Sequence, residues 1–431
     1  MTNGQKASGD PWQNFRIRGG ICRQGHKGIF MQKPNPTVRS VIAVGVFLLV
    51  AVIVLCLPAP IIAADWKLVP KIGVYGGYDD NILFKGQEKL SSTVVNVEPG
   101  LEVEYESLRS SIHLSADLEV LRYLEEEEFD RENQYYRLTA NHRFGQRWDS
   151  RAGFNYYNDN ILRTYLEETG RVEEINQIDR EYFYAMGGMA YNISTISTID
   201  TQYRFEKSIY DSSRYTDYNR HRVDLRYKSR LKNQQDAISI GPSFYHRTNN
   251  VNDTDYISLD LGWERDWSPI TNSLATIGGR YAMVEKQQSD DDLDKWGVRA
   301  SLRIRHKGPA SSLEFMYYHD VDTTAAGTDI NVDNFKLRYN YRLTERFSMG
   351  LYSRFVLSYD LLGTSSDEEN YVEDSRYLEI RPFLGYRLTE NLDVSINYAY
   401  QNSSEDIVDS ENTRERNRFW IEFAYEIPLI L

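Results

Sequence analysis

WGVRASLRIR, residues 296–305, is the stretch on which the fold turns. Trp296, Val298, Ala300, Leu302 and Ile304 fall on one side of an extended chain, and Gly297, Arg299, Ser301, Arg303 and Arg305 on the other. A period of two marks a strand with one apolar and one polar face, since successive side chains of a pleated chain point in opposite directions. The pattern spreads outward from there. Phe335, Leu337, Tyr339, Tyr341 and Leu343 alternate with Lys336, Arg338, Asn340 and Arg342. Leu392, Val394, Ile396, Tyr398 and Tyr400 alternate with Asp393, Ser395, Asn397 and Ala399, and Phe419, Ile421, Phe423 and Tyr425 with Arg418, Trp420, Glu422 and Ala424. From Trp66 onward no helical apolar stripe of useful length interrupts this.

Read in this way the chain holds eighteen strands, starting near Trp66, Thr93, Ser111, Tyr135, Ser150, Glu181, Ile196, Asn219, Ala237, Asp255, Leu274, Lys295, Leu313, Asp333, Ser348, Ser375, Leu392 and Arg416. Short turns near Ser107, Gly145, Asn192, Lys232, Pro269, Gly308, Glu345 and Glu390 interleave with nine longer polar segments. Several of the long ones are acidic: EEEEFDREN from Glu125, QQSDDDLD from Gln287, SSDEENYVED from Ser365 and SSEDIVDSEN from Ser403. An even strand number with alternating short and long connections predicts an all-β fold, a transmembrane up-and-down antiparallel β-barrel with short periplasmic turns and long extracellular loops. The competing fold is a soluble secreted sandwich or solenoid. Against it, aromatics cluster near strand ends (Trp66, Tyr78, Phe144, Trp148, Trp263, Trp267, Phe347, Tyr400), as interface girdles require, and no second apolar face exists for a sandwich core. Strands of about ten to fifteen residues also exceed the soluble mode of about five or six.

Composition agrees once the two faces are separated. The mean hydropathy of −0.57 averages a greasy face with a polar one, so it does not exclude a barrel. With 32 tyrosines, 12 prolines and 2 cysteines among 431 residues, the chain is neither collagen-like nor a disulfide scaffold. Residues 41–64 (VIAVGVFLLVAVIVLCLPAPIIAA) form the one long apolar run, preceded by Lys33 and Arg39, broken by Pro58 and Pro60, and ended by Ala63-Ala64. That layout predicts a signal peptide over residues 31–64 with cleavage after Ala64, an uncleaved anchor being the alternative. Residues 1–30 read as an N-terminal extension ahead of a start at Met31, and residues 65–431 as the barrel. Both cysteines, Cys22 and Cys56, fall in the removed part, so thiol and haem-attachment chemistry are closed to the mature chain. Removing 7 basic and 1 acidic residues from 50 and 63 leaves 43 and 62, a net charge of −19. Nucleic acid is no partner for so acidic an exported chain. The expected location is the outer membrane, with lipid and lipopolysaccharide as neighbours.

YRLTERF (341–347) and YRLTENL (386–392) repeat an aromatic, an inward Arg and a tight turn, with HRFGQRW (142–148) a looser copy. The repeat is hairpin chemistry that any barrel converges on. More specific is GVYGGYDDNILF (73–84) followed by VNVEPGLEVEYES (95–107). Through Tyr78, Asp79, Asp80, Asn81, Ile82 and Pro99 this resembles the opening of outer-membrane barrel proteins found with exopolysaccharide synthesis and export loci, including those that accompany PEP-CTERM sorting systems. The resemblance covers roughly 35 residues, and implies a conduit or accessory for a secreted polysaccharide, with periplasmic export components as partners. The C terminus departs from the commonest barrel pattern, because EIPLIL follows the last aromatic, Tyr425. By residue chemistry alone, Asp79-Asp80-Asn81 reads as an Asx-type turn closing a hairpin in preference to a cation site, so no metal is expected.

Strand parity assigns the lumen lining. Basic residues are plentiful there: Arg222, Arg226, Lys228 and Arg230; Arg299, Arg303 and Arg305; Lys336, Arg338 and Arg342; Arg381 and Arg387; Arg416 and Arg418. Acidic ones concentrate at Glu98, Glu102, Glu104, Asp117 and Glu119. A bore lined with guanidinium groups attracts anions, which predicts passage of an anionic solute or polymer, similar to the alginate exporter in strand number and basic lining. Two alternatives stay open: an Arg/Glu ladder across the wall, as Arg222 and Asp224 near Glu206 would give, and a path for cations or neutral sugars. A general diffusion porin, or an accessory barrel such as a sheath around a periplasmic partner, would show the same lining. His113, His142, His221, His246, His306 and His319 are scattered without a nucleophile or metal motif, so neither catalysis nor a cofactor is expected.

Overall fold

The computed structural model describes residues 65–160, 169, 178–212, 215–286, 293–324, 329–360, 372–407 and 410–430. The extension over 1–30, the signal over 31–64, most of the acidic runs at 287–294 and 365–374, and most of the 161–180 segment lie outside these residues.

Each predicted alternating run is a strand. In chain order they are β1 (Asp65–Asp79), β2 (Ser92–Glu106), β3 (Ser110–Tyr123), β4 (Arg131–Phe144), β5 (Trp148–Asn160), β6 (Asp179–Asn192), β7 (Ser197–Tyr210), β8 (Tyr218–Arg230) and β9 (Asp236–Asn249). There follow β10 (Asn252–Ser268), β11 (Thr271–Lys286), β12 (Leu293–Lys307), β13 (Ser311–Thr323), β14 (Asp329–Arg342), β15 (Phe347–Asp360), β16 (Val372–Arg387), β17 (Leu392–Ile407) and β18 (Ser410–Glu426). Every strand pairs antiparallel with the next, and β1 pairs with β18 from Lys71↔Glu426 to Asp79↔Arg418, which closes the barrel. Leu429–Ile430 adds a two-residue piece, β19, against Lys67 and Leu68 of β1, so the residues after the last aromatic lengthen the seam.

Closure matters because a lipid-exposed edge would leave backbone N–H and C=O groups without partners. No helix among the described residues is long and apolar enough to cross a membrane; the strands do it. Burial is inverted relative to a soluble domain, where large apolar groups go inside. Ile277 and Trp296 are 62% and 76% exposed, while Arg247, Glu379 and Asn334 are fully buried. Register puts every girdle aromatic named above on the outward face, with Tyr78, Phe144 and Trp267 half exposed. The chain is thus a closed eighteen-stranded barrel with an apolar belt, built to sit in the outer membrane.

Both strand termini of the barrel and all eight short turns lie at one end, the periplasmic one. Gly145 takes φ of +64°, the left-handed conformation that its β4–β5 turn needs. At the opposite end, two of the nine connections expected to be long are tight. β9 and β10 are separated only by residues 250–251, and SSEDIVDSEN is strand on either side of residues 408–409. Its alternation continues beyond membrane level, as Ser403↔Arg414 and Glu405↔Asn412 show, so pairing continues too.

Candidate lumenal conduit

The Tyr78–Ile82 motif is where the barrel closes. Asp79 ends β1 facing the lumen, directly across from Arg418 in register. Its carboxylate accepts from Arg416 Nε at 2.9 Å and from Arg416 Nη2, with both residues buried. Asp80 accepts from the Asn417 backbone N at 2.7 Å and its Nδ2 at 2.8 Å. The expected Asx turn is present as well, since Asn81 N donates to Asp79 Oδ1 at 3.1 Å. Asn81 Nδ2 donates in addition to the Lys85 and Glu415 carbonyls at 2.7 and 2.8 Å. A motif read locally as a hairpin turn therefore ties the first strand to the last. Pro99 faces outward on β2, opposite Ile72.

From this latch the β1–β2 loop folds into the bore. Phe84 N donates to the Asn81 carbonyl at 2.9 Å, and Phe84 has φ of +53°, a costly conformation for a bulky residue that turns the chain inward. Ile82 and Leu83 pack on Val94, Leu121 and Tyr123 of β2 and β3. Phe84 is fully buried against Ile330, Val332, Val356 and Tyr377 of β14, β15 and β16. One loop thus bridges two sectors of the lumen wall.

A second constriction is ionic. Arg247 on β9 reaches Asp329 on β14 at 2.8 Å, and Asp329 also accepts from Tyr256 at 2.9 Å. Arg220 on β8 contacts Asp322 on β13 at 3.4 Å; Arg280 and Arg299 reach Asp320 at 3.0 and 2.9 Å. Strands are about 4.8 Å apart along the wall. Contacts between strands five places apart therefore require the outer end of the β13–β14 hairpin to lean across the opening.

This network sorts the twelve basic residues predicted for the anion path. All face the lumen by register, but seven have a carboxylate within 4.0 Å. Arg222 pairs with Asp224 at 2.9 Å, Arg230 with Asp266 at 3.3 Å, and Arg299 with Asp260 and Asp320 at 2.8 and 2.9 Å. Arg305 meets Glu314 at 2.6 Å and Arg338 meets it at 4.0 Å; Arg381 pairs with Glu379 at 2.5 Å and Arg387 with Asp393 at 3.3 Å. Glu206, a suggested partner of Arg222, pairs with Arg220 at 3.0 Å. Lys336 lies 5.7 Å from the Tyr318 ring centroid. Among the described residues, Arg226, Arg303, Arg342 and Arg418 have no carboxylate within 4 Å, and the first three are exposed to the bore. Arg226, Arg303 and Arg342 lie in the periplasmic half of their strands, whereas the outer half of β8–β14 is occupied by ion pairs.

The acidic sector is likewise partly neutralised. Lys71 holds Glu102 at 2.6 Å and Asp117 at 2.9 Å, and Lys67 holds Glu104 at 3.2 Å. The lumen is consequently polarised, with acid on β2 and β3 and free base on β8, β12 and β14. Strand parity made this division legible. The Asp79–Arg416 latch and the inward loop were not, though Asp79 ends the inward-facing row of the first strand and Arg416 lies on that of the last.

No family model matches the chain, and no curated protein does. Solved structures similar in fold include OccK2 (OpdF) of Pseudomonas aeruginosa, with a TM-score of 0.42 and 11% identity over 84% of this chain and 98% of that one. The outer membrane protein opdK of Pseudomonas aeruginosa follows at 0.40 and 9%, over 85% and 99%. A BenF-like porin from Pseudomonas fluorescens Pf-5 is similar at 0.41 and 11%, over 85% and 99%. At such identities the likeness bears on no residue or substrate. The assignment to outer-membrane barrels rests on the closed register and the inverted burial.

Proposed function

We propose that this barrel is a passive conduit for anionic solutes, and that the exported substrate is an acidic polysaccharide. The observation that carries the anion preference is the set Arg226, Arg303 and Arg342, always charged, open to the bore and without carboxylate partners among the described residues. The polysaccharide rests on the resemblance carried by Tyr78–Ile82 and Pro99, and periplasmic export components are the corresponding partners.

The test is ion selectivity of the refolded protein in planar bilayers. The wild type is expected to favour anions, and the triple variant Arg226→Glu, Arg303→Glu, Arg342→Glu to favour cations. Arg299, held by two carboxylates, is a poor choice for such a variant because its loss strands Asp260 and leaves Asp320 with Arg280 alone. A wild type that prefers cations would sink the proposal. Absence of any conductance would favour a second reading, an accessory barrel without transport, for which the Arg247–Asp329 network and the inward loop speak.

A further inference from the structure

Beyond the basic wall, the lumen carries an aromatic and polar recess beside the seam, lined by Trp420, Tyr75, Tyr135, Arg418, Arg381 and Gln401. We propose that it is a saccharide subsite, in which a pyranose ring stacks on Trp420 and Tyr75 and its hydroxyl edge is read by Arg418 and Gln401. The inference deepens the conduit reading and rests on it for the identity of the ligand.

Three observations point to a sugar. The first is the pair of rings. Trp420 and Tyr75 both face the lumen, away from the lipid where tyrosine and tryptophan of a barrel are ordinarily placed, with centroids 6.3 Å apart and planes at 51°. The second is unspent polar capacity. Gln401 is more than nine-tenths buried, donates from Nε2 to the Tyr377 hydroxyl at 2.9 Å and to Glu379 Oε1 at 3.3 Å, and its Oε1 accepts from no group. Arg418 has no carboxylate within 4 Å among the described residues, its Nε bonds to no acceptor, and its guanidinium lies 5.7 Å from the Trp420 centroid. The third is how the recess is shaped. Gly77 stands opposite Trp420 in register, and a Cβ there would lie 2.6 Å from Trp420 Cβ and 2.3 Å from the Phe419 carbonyl oxygen. The rings therefore keep this placement only while residue 77 has no side chain.

These features discriminate among ligand classes. An apolar ligand would use the rings and leave Arg418 and the Gln401 acceptor oxygen unpaired, at a cost. An inorganic anion would use Arg418, gain nothing from the rings, and face the Gln401 acceptor. A pyranose offers an apolar face of C–H groups and a rim of hydroxyls that both donate and accept, which engages all four side chains.

The test uses the full barrel and two hexamers, maltohexaose as the neutral probe and hexagalacturonate as the acidic one. In bilayers, at least one of them is expected to interrupt the ionic current, and Trp420→Ala to shorten the interruptions about tenfold with ion selectivity unchanged. Trp420→Phe, which keeps a ring, should retain most of the effect, and heat-modifiable gel migration checks that each variant is folded. Equilibrium binding of both hexamers to the detergent-solubilised protein repeats the comparison without requiring conductance. Loss of anion preference with hexamer binding retained would overturn the conduit and leave the subsite standing. An anion-selective wild type that binds neither hexamer, or a folded Trp420→Ala that binds as well as wild type, would overturn the subsite.

Discussion

Substituting Asp79 by alanine is predicted to cost this barrel more stability than any other single change at its seam. Asp79 and Arg416 are 3% and 8% exposed in their side chains, so the guanidinium that Asp79 neutralises has almost no access to water. Removing one partner of such a pair leaves an uncompensated buried charge, which costs about 3–5 kcal/mol. The Asn81 N–H loses its acceptor at the same time, for about another 1 kcal/mol. Asp80 supplies the internal standard. It also binds β18, through two bonds from Asn417, but in a part-buried setting where Asp80→Ala should cost only about 2 kcal/mol. Replacing both members of the pair, Asp79→Asn with Arg416→Gln, should recover much of the loss, because no buried charge then remains. Urea titration of the folded protein in lipid vesicles, followed by tryptophan fluorescence, reads these differences as shifts in midpoint at constant slope. If Asp79→Ala fell within about 1 kcal/mol of wild type, or were no worse than Asp80→Ala, the motif would not be the latch described.

Phe84→Ala removes the ring that docks the β1–β2 loop on β14–β16, a change worth about 3–5 kcal/mol in a packed core, and should raise single-channel conductance; an unchanged conductance would mean that the loop does not limit the bore. Gly77→Ala should displace Trp420 and reproduce the hexamer-binding defect of Trp420→Ala, and normal binding would show that the close approach of β1 and β18 is not what places the indole. In the β3–β4 connection, Glu125 accepts from Ser92 Oγ at 2.8 Å and from the Thr93 N–H at 2.5 Å, bonds that hold its carboxyl below the ordinary glutamate value. A lowered value means that the contact is complete above the unfolded pKa and is lost as pH falls through the folded one. Hydrogen exchange at the Thr93 amide should therefore accelerate only on acidification below the usual glutamate range, and in Glu125→Gln should be independent of pH beyond the intrinsic exchange rate.

Much of this architecture was legible in the primary structure. A period of two needs no knowledge of what lies opposite, so the strand number, the two faces and the outward aromatics followed from runs such as 296–305. The lumen-facing arginines followed from the same parity. What parity does not carry is distance between strands that are remote in sequence. Arg299 and Arg303 are four residues apart on one face and indistinguishable as text, yet one is held between Asp260 and Asp320 and the other is open to the bore. The difference arises because the β13–β14 hairpin leans over the outer half of the lumen and not the inner.

The same limit applies to Tyr78–Ile82. As sequence the motif shows a turn, because Asp and Asn next to a strand end satisfy nearby backbone groups. Its partners Arg416 and Asn417 lie more than three hundred residues away, and only closure of the cylinder brings them within hydrogen-bond reach. Local periodicity is enough to make the chain a barrel and to set which side chains look inward. The tertiary structure alone decided which inward charges are neutralised, where the bore narrows, and that Trp420, Arg418 and Gln401 share one recess, since those depend on the curvature that joins the last strand to the first.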